Sequence, residues 1–166
     1  LWEIFKHKII EHGSKGVYEV IDKPLIKVLF DIEEYGIELD TKVLKNLSQN
    51  FHARISALST EIYKLAGKQF NIGSPKQLGE ILFEEMGLSG GKKGKGGSWG
   101  TNIDVLEDLA GQGVELAQRV IDWRQLSKLT NTYVDKLPAE VNSQTKRVHS
   151  NFELAITNTG RLSSSD

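Results

Sequence analysis

Apolar residues recur every three or four positions through most of the chain, which is the spacing of amphipathic helices. The clearest run steps from Leu44 to Leu65, starts at a cap formed by Asp40 or Thr41, and ends at Gly67. Its apolar stripe is narrow, and a narrow stripe needs one nearly antiparallel partner helix rather than a broad core. The run therefore predicts one half of a long helix pair.

The second half of the pair is predicted at residues 114–137, just before Pro138. At about 100° per residue, the two sides of this helix differ in chemistry. The broad apolar side is predicted to pack on the first stripe and carries Val120, Trp123, Leu126, Leu129, Tyr133, Val134 and Leu137. The opposite side carries Arg124, Lys128, Asn131 and Thr132.

Shorter elements are predicted around this pair. Residues 1–12 and 17–34 have helical periodicity, Gly36 ends the second helix, and the following "IELD" is extended. The stretch "SPKQL" starts a helix at 75–86, because Ser74 can cap it and Gln77 can complete a capping box. A short helix is capped by Thr101 or Asn102 and runs through Leu109, and "RVHSNFELAITNTG" predicts two short strands.

The segment "SGGKKGKGGSWG" is rich in glycine and lysine and is predicted to be a mobile tip in which nothing packs. One interpretation is a flexible linker. The other is a basic finger that follows a nucleic-acid backbone through Lys92, Lys93 and Lys95, each displacing a counterion. Trp99 either anchors the tip or stacks, and the sequence leaves both roles open.

Composition limits the classes of function. The 166 residues, 39% hydrophobic and 26% charged, suit one globular domain, and a net charge of -1 excludes a uniformly basic nucleic-acid binder but not a local patch. The chain has no cysteine, so it has neither a disulfide framework nor a thiolate zinc site, which fits an intracellular protein. No apolar run approaches the roughly 20 residues of a membrane span. The start at Leu1 and the polar end predict a piece excised from a longer protein.

No catalytic or metal site is predicted. The four histidines lack metal-ligand spacing, no serine lies in a nucleophile elbow, and the carboxylates are scattered along helices. The polar row that includes Arg124 and Lys128 is either a solvated face or a set of phosphate contacts at successive turns. Arg161, within "TGRLSSSD", is by itself an ordinary surface arginine of a loop.

Three stretches, in order and spacing, resemble the bacterial DNA polymerase I family, family A of the DNA polymerases. These are "FNIGSPKQLGEILFEEMGL", "DWRQLSKLTNTYVDKLP" and "RVHSNFELAITNTGRLSSSD". The resemblance covers residues 24–166 and extends less distinctly to the helices before them. It implies that the long helix pair is a thumb, which grips primer-template duplex DNA.

The resemblance also assigns roles to individual residues. Arg124 and Lys128 match thumb residues that contact the DNA backbone, and Arg161 matches the arginine that enters the minor groove at the primer terminus. Because every base pair offers an acceptor there, this arginine can probe pairing geometry without reading sequence. The resemblance also implies contacts at Asn71, Ser74, Thr132, Tyr133, Ser163 and Ser164. The chemistry of the residues themselves adds Asn131 of the polar row and Lys92, Lys93 and Lys95 of the tip as expected DNA contacts.

The sequence departs from the family pattern at four places. Gly73 replaces an asparagine, Gly100 a serine, "KGKGG" a threonine-bearing tip, and Leu154 a glutamine. Each change removes a polar group, chiefly at the tip. The resemblance further implies that the two Mg²⁺ ions of the full-length polymerase are held by aspartates beyond Asp166. This segment of a DNA-directed DNA polymerase is therefore expected to be inactive alone.

Together these observations predict a mainly α fold with a long antiparallel helix pair, a small tip subdomain and a short β segment of the palm. The predicted segments are a helical base (1–40), the thumb (41–138) and the start of the palm (139–166). The expected partner is primer-template DNA in the bacterial cytoplasm, associated with the nucleoid, and unpaired palm strand edges predict self-association. The alternatives are a helical protein-interaction module and a magnesium-dependent nuclease or transferase complete in this chain, which would need clustered carboxylates.

Overall fold

The computed structural model of the chain describes residues 2–94, 97 and 99–165. The helices are α1 (Trp2–Glu11), α2 (Lys15–Val17), α3 (Lys23–Tyr35), α4 (Thr41–Ala66), α5 (Pro75–Gly79), α6 (Ile103–Gly111) and α7 (Glu115–Leu129). Three π-helical turns lie at Tyr18–Asp22, Glu80–Glu85 and Thr130–Val134, and a 3-10 turn at Leu137–Glu140. The strands are β1 (Ile37–Glu38), β2 (Arg147–Val148), β3 (Asn151–Glu153) and β4 (Ser163–Ser165).

The chain divides into two compact units. The first, which we call the helix-pair unit, is Thr41–Leu137. The second, the mixed unit, consists of Leu1–Asp40 and Pro138–Asp166. The predicted class is confirmed, because helices dominate the described residues and the strands form two short antiparallel pairs.

The long helix pair is α4 against α7 with its π-helical extension. The Trp123 indole N–H donates to the Ser59 hydroxyl at 2.9 Å, and the Ser48 hydroxyl donates to the Asp135 carboxylate at 2.7 Å. The later residue of α4 thus bonds to the earlier residue of the partner helix, so the pair is antiparallel as predicted. The stripe of α4 is mostly half-buried, as suits a single partner helix; Ile62 is fully buried and Leu65 is 37% exposed.

The core of the helix-pair unit lies at one end of the pair, where α6 and the helix that starts at Pro75 pack against α4 and α7. Burying one large aliphatic side chain in such a core stabilises the folded state by about 1.5–3 kcal/mol. Its buried members are Ile62, Ile72, Leu78, Ile81, Leu82, Phe83, Leu106, Leu109, Leu116, Ala117, Val120 and Ile121.

The prediction of which side of α7 is buried was partly wrong. Leu129 is 48% and Tyr133 50% exposed, whereas Ala117 and Ile121, on the side assigned to polar residues, are buried. The N-terminal half of α7 packs on α6 as well as α4, so it is buried over a wider arc than one partner would require. The π-helical turn at Thr130–Val134 then changes the angular step along the helix, which a constant step of about 100° cannot anticipate.

The start of α5 is capped as predicted, with one correction. The Ser74 hydroxyl accepts from the Gln77 N–H at 3.4 Å, but the Gln77 side chain accepts from the Asn71 N–H at 2.8 Å rather than closing the box on Ser74. At α6 the N-cap is Asn102, whose side-chain amide donates to Asp104 instead of accepting from the helix. Residue type located both caps but did not specify their bonds.

In the mixed unit, β1 pairs with β2 and β3 with β4, with Ile37 opposite Val148 and Phe152 opposite Ser164. The extended "IELD" and the two predicted strands are present. The strand β4 was not predicted, because a run of serines has no apolar alternation and becomes a strand only by pairing with β3.

Hydrogen bonds join α3 to the β segment of the mixed unit. The Nδ1–H of His149 donates to the Glu33 carbonyl at 2.8 Å, and the Glu33 carboxylate accepts from the Phe152 N–H at 2.6 Å. Gly36 has φ +64°, and a Cβ there would lie 2.8 Å from the His149 ring and from the Val148 carbonyl oxygen. A side chain at Gly36 would therefore break this junction.

Many large apolar side chains of the mixed unit are exposed, whereas Leu29 and Val148 are buried. Among the described helices, none combines the length and apolar character that crossing a bilayer requires.

Candidate nucleic-acid interface

The polar row predicted along α7 continues into the π-helical turn. Lys128, Asn131 and Thr132 are all exposed, and Tyr133 beside them is half exposed. The Val134 side chain of the same turn is buried, and so is Thr130, whose hydroxyl donates to the Leu126 carbonyl at 2.8 Å. The exposed groups are therefore mounted on a packed helix.

Arg124 behaves differently from the rest of the row. Its side chain is only partly exposed, and its guanidinium donates to both the backbone carbonyl and the hydroxyl of Thr101, the latter at 3.3 Å. Burial lowers the pKa of Arg124 from its ordinary value, which is so high that the group stays charged at neutral pH. A guanidinium has five N–H donors, so Arg124 keeps donors beyond the two that Thr101 accepts.

The predicted contacts at the start of α5 lie in a segment with bonds of its own. The Asn71 side chain accepts from the Gly73 N–H at 3.0 Å, and the Asn71 carbonyl accepts from the Ser74 N–H at 2.9 Å. The N–H groups of Asn71 and Gln77 are also bonded within the segment. The backbone N–H groups of Asn71, Gly73, Ser74 and Gln77 thus have partners within the segment.

The glycine- and lysine-rich tip is packed at both ends, which corrects the prediction that nothing in it packs. Trp99 lies against Phe83 with ring centroids 5.0 Å apart, and its indole N–H donates to the Glu84 carboxylate at 2.8 Å. Lys93 contacts the same carboxylate at 3.1 Å and lies 4.6 Å from the centroid of the Trp99 ring. Trp99 therefore anchors the tip.

The three tip lysines are placed differently. Lys92 is exposed, whereas Lys93 is held by the Glu84 carboxylate and the Trp99 ring. The predicted contact at Lys95 lies outside the described residues. The pKa of Glu84 is lowered by the hydrogen bond from Trp99 and, after it, by that from Lys93.

The remaining predicted contacts lie in the mixed unit. Arg161 is exposed, and its backbone carbonyl accepts from the Thr157 hydroxyl at 2.7 Å. Its guanidinium makes no hydrogen bond or ion pair with the residues that the structure describes. Ser163 and Ser164 belong to β4, where Ser163 is half-buried and Ser164 exposed.

Sequence reasoning missed Thr101 and Glu84 as partners of predicted contact residues. Both pairings join positions distant in the chain, so no periodicity could have shown them. Within 2–94, 97 and 99–165, no three carboxylate or histidine side chains cluster as metal ligands. The described residues therefore do not fit a magnesium site.

Comparison with known proteins gives a consistent result. Residues 41–166 match the family model of DNA polymerase family A. The chain is 51% identical over 166 residues to DNA polymerase I of Rhizobium leguminosarum, covering 100% of the chain and 16% of that relative. It is 43% identical over 151 residues to the thermostable DNA polymerase I of Thermus thermophilus, covering 90% of the chain and 18% of that relative. The chain thus spans a small part of these curated relatives.

A solved polymerase structure also matches the fold of this chain. The polymerase domain of Pol1 from M. smegmatis, in complex with DNA primer-template and dNTP, matches this fold with a TM-score of 0.85 and 33% sequence identity. The match covers 96% of this chain and 28% of that one. Because the model of DNA polymerase family A matches residues 41–166, most of the chain, the chain belongs to DNA polymerase family A.

Proposed function

We propose that the chain binds primer-template duplex DNA, independently of sequence, as part of a DNA-directed DNA polymerase that acts in replication and repair in the bacterial cytoplasm, associated with the nucleoid. The observation that carries the proposal is the exposed row Lys128, Asn131 and Thr132 on a packed helix pair. A cation and hydrogen-bond donors at successive turns suit a sugar-phosphate strand, which has the same charge at every step. The family membership and the DNA in the M. smegmatis structure support it.

In this proposal residues 41–138 are the thumb, residues 1–40 are a helical base that precedes it in the chain, and residues 139–166 start the palm. The Lys128 ammonium contacts the phosphate backbone of the DNA, with Tyr133 beside it. Arg124 also contacts the backbone, through the N–H donors that Thr101 leaves free. Arg161 enters the minor groove, where it meets an acceptor at every base pair, with Ser163 and Ser164 flanking the same strand.

The polymerase reaction would need Mg²⁺, which promotes phosphoryl transfer when bound. Its ligands would come from residues other than those described here. The contribution of this chain is to hold the duplex, and DNA binding rather than nucleotide incorporation is the activity to test.

The alternative of a protein-interaction module rested on the apolar stripe of α4. That stripe packs on α7 within the same unit, so the feature that suggested a foreign helix has an internal partner. The alternative is therefore not proposed.

The test is to replace Lys128 and to measure binding of a primer-template duplex by fluorescence anisotropy. Lys128→Ala is expected to weaken binding several-fold and to reduce the slope of log K against log salt by about 0.9, the value for one lost phosphate contact. Lys45→Ala is the matched control, since Lys45 is an exposed lysine with no predicted DNA contact. Equal binding by both variants and the unmodified chain would refute the role of the row.

A further inference from the structure

The two ends of the lysine-rich tip segment are joined to each other. An antiparallel bridge pairs Lys93 with Trp99, and the Gly100 N–H donates to the Lys92 carbonyl at 2.9 Å. The backbone at Lys92 and Lys93 is therefore held beside the backbone at Trp99 and Gly100. Its position depends on the contacts that hold Trp99.

Trp99 is held in a seat that two glycines make possible. A Cβ on Gly79 would lie 2.4 Å from the Cβ of Trp99, and a Cβ on Gly91 would lie 2.6 Å from the Phe83 ring. Any side chain at either glycine would displace the aromatic pair. The Glu84 carboxylate completes the seat by accepting from the indole N–H at 2.8 Å.

Lys93 contacts both Glu84 and Trp99 and so stabilises this arrangement. Its ammonium contacts the carboxylate oxygen of Glu84 that also accepts from Trp99, and it lies over the Trp99 ring. An ion pair and a cation–π contact thus act on one side chain. We call Glu84, Lys93 and Trp99 the tip latch.

We propose that the tip latch fixes the backbone at Lys92 for DNA binding, so that the Lys92 ammonium meets a phosphate of the DNA backbone while the Lys93 ammonium stays bound to Glu84 and Trp99. The proposal rests on the proposed DNA binding. Lys92 is exposed and makes no ion pair within the described part of the chain, whereas the ammonium of Lys93 is already engaged. Holding the segment before DNA arrives reduces the ordering entropy that binding must overcome.

Gly79→Ala tests the latch without changing the charge of the protein, because its Cβ displaces Trp99. Gly111→Ala is the matched control: Gly111 also lies in a helix, and a Cβ there meets nothing within 4 Å. Duplex binding is measured over a range of salt concentrations for these variants, for Lys92→Ala, and for the Gly79→Ala, Lys92→Ala double variant.

Each of Gly79→Ala and Lys92→Ala is expected to lower affinity and to reduce the salt slope by about 0.9. The double variant is expected to show no further loss, because both changes remove the same contact. Gly111→Ala should behave as the unmodified chain. An unchanged slope in Gly79→Ala, or fully additive losses in the double variant, would overturn the positioning role.

Trp99→Phe gives a second test if Gly79→Ala fails to fold. It keeps a ring against Phe83 but removes the indole N–H that Glu84 accepts. We expect a smaller loss of affinity and faster hydrogen exchange of the Gly100 amide, observed by NMR without DNA. Unchanged exchange together with unchanged binding would overturn the latch.

The Lys128→Ala variant separates the two proposals. If it weakens binding while the latch variants do not, the latch fails and the DNA-binding function stands. If the unmodified chain does not bind duplex DNA, both fail.

Discussion

The guanidinium of Arg124 donates to both the backbone carbonyl and the hydroxyl of Thr101. Thr101 is 5% exposed and lies just before α6, whereas Arg124 lies within α7. One side chain thus ties the start of one core helix to the middle of another. Arg124, chosen from the sequence as a DNA contact, is also a structural residue.

Arg124→Ala is therefore expected to lower the free energy of unfolding by about 1–3 kcal/mol, because it leaves the polar groups of Thr101 without their partner. Arg124→Lys should lose nearly as much, since an ammonium cannot reproduce the paired geometry of a guanidinium. Urea unfolding measures both, with Lys128→Ala as an exposed control that should unfold as the unmodified chain does. Equal stability of Arg124→Ala and Lys128→Ala would contradict the tie.

Arg161→Ala, unlike Arg124→Ala, should weaken DNA binding without lowering the stability of the fold. The side chain is exposed and makes no bond within the described residues, so thermal unfolding should not change. Duplex binding should weaken because a minor-groove donor is lost, and equally for A·T-rich and G·C-rich primer ends. A clear loss of thermal stability, or unchanged affinity for both duplexes, would show that Arg161 is not a groove contact.

Asp135 makes the helix pair sensitive to acid. The pKa of Asp135 is lowered by the hydrogen bond from Ser48 and also by His52, whose Nε2 lies 2.9 Å from its carboxylate. A carboxyl group with a depressed folded-state pKa stabilises the fold above its unfolded value, near 3.8, and that contribution disappears as the pH falls through the folded value.

Asp135→Asn should therefore destabilise the chain near pH 7, and the difference should shrink as the pH falls below about 3.8. Urea unfolding of both proteins across this range measures the effect. Asp108→Asn is a control, because the Asp108 carboxylate is exposed and makes no hydrogen bond or ion pair within the described residues. A constant difference between Asp135→Asn and the unmodified chain at every pH would contradict the linkage.

Self-association remains a prediction of the sequence, and the mixed unit suggests where to test it. Its strands are short and form two separate two-stranded pairs, and Ile156 in the loop between β3 and β4 is 63% exposed. Ile156→Asp is expected to reduce any concentration-dependent dimer seen by sedimentation velocity, because it places a charge on an apolar contact. Thr159→Asp, in the same loop, controls for charge alone. Monomers at all concentrations would remove the prediction.

Local pattern predicted the long helix pair, but it predicted neither strand β4 nor which side of α7 is buried. The stripe from Leu44 to Leu65 predicted α4 and its antiparallel neighbour, because burial along one helix leaves a periodic trace. The side of α7 that is buried depends on α6 and on a π-helical turn, neither of which alters the local periodicity. The exposure of Leu129 is the result.

In the candidate site, the sequence indicated contact residues but not the residues that they bind within the fold. Residue type and the family resemblance singled out Lys128 and Arg161, which are exposed. Neither could show that Lys93 is engaged by Glu84, because that pairing depends on how the tip folds back on the helix after Pro75. Composition alone suggested a mobile tip because glycine and lysine dominate it, and the packing of Trp99 on Phe83 overrides that composition.

We propose that this chain holds duplex DNA by the DNA backbone and the floor of the minor groove, regardless of sequence. This is tested by the affinity for two primer-template duplexes of unrelated sequence, measured between low and physiological salt. We expect equal affinities whose logarithm falls linearly with the logarithm of the salt concentration, with a slope of about 0.9 for each phosphate neutralised. Affinity that ignores salt, or that differs strongly between the two sequences, would contradict it.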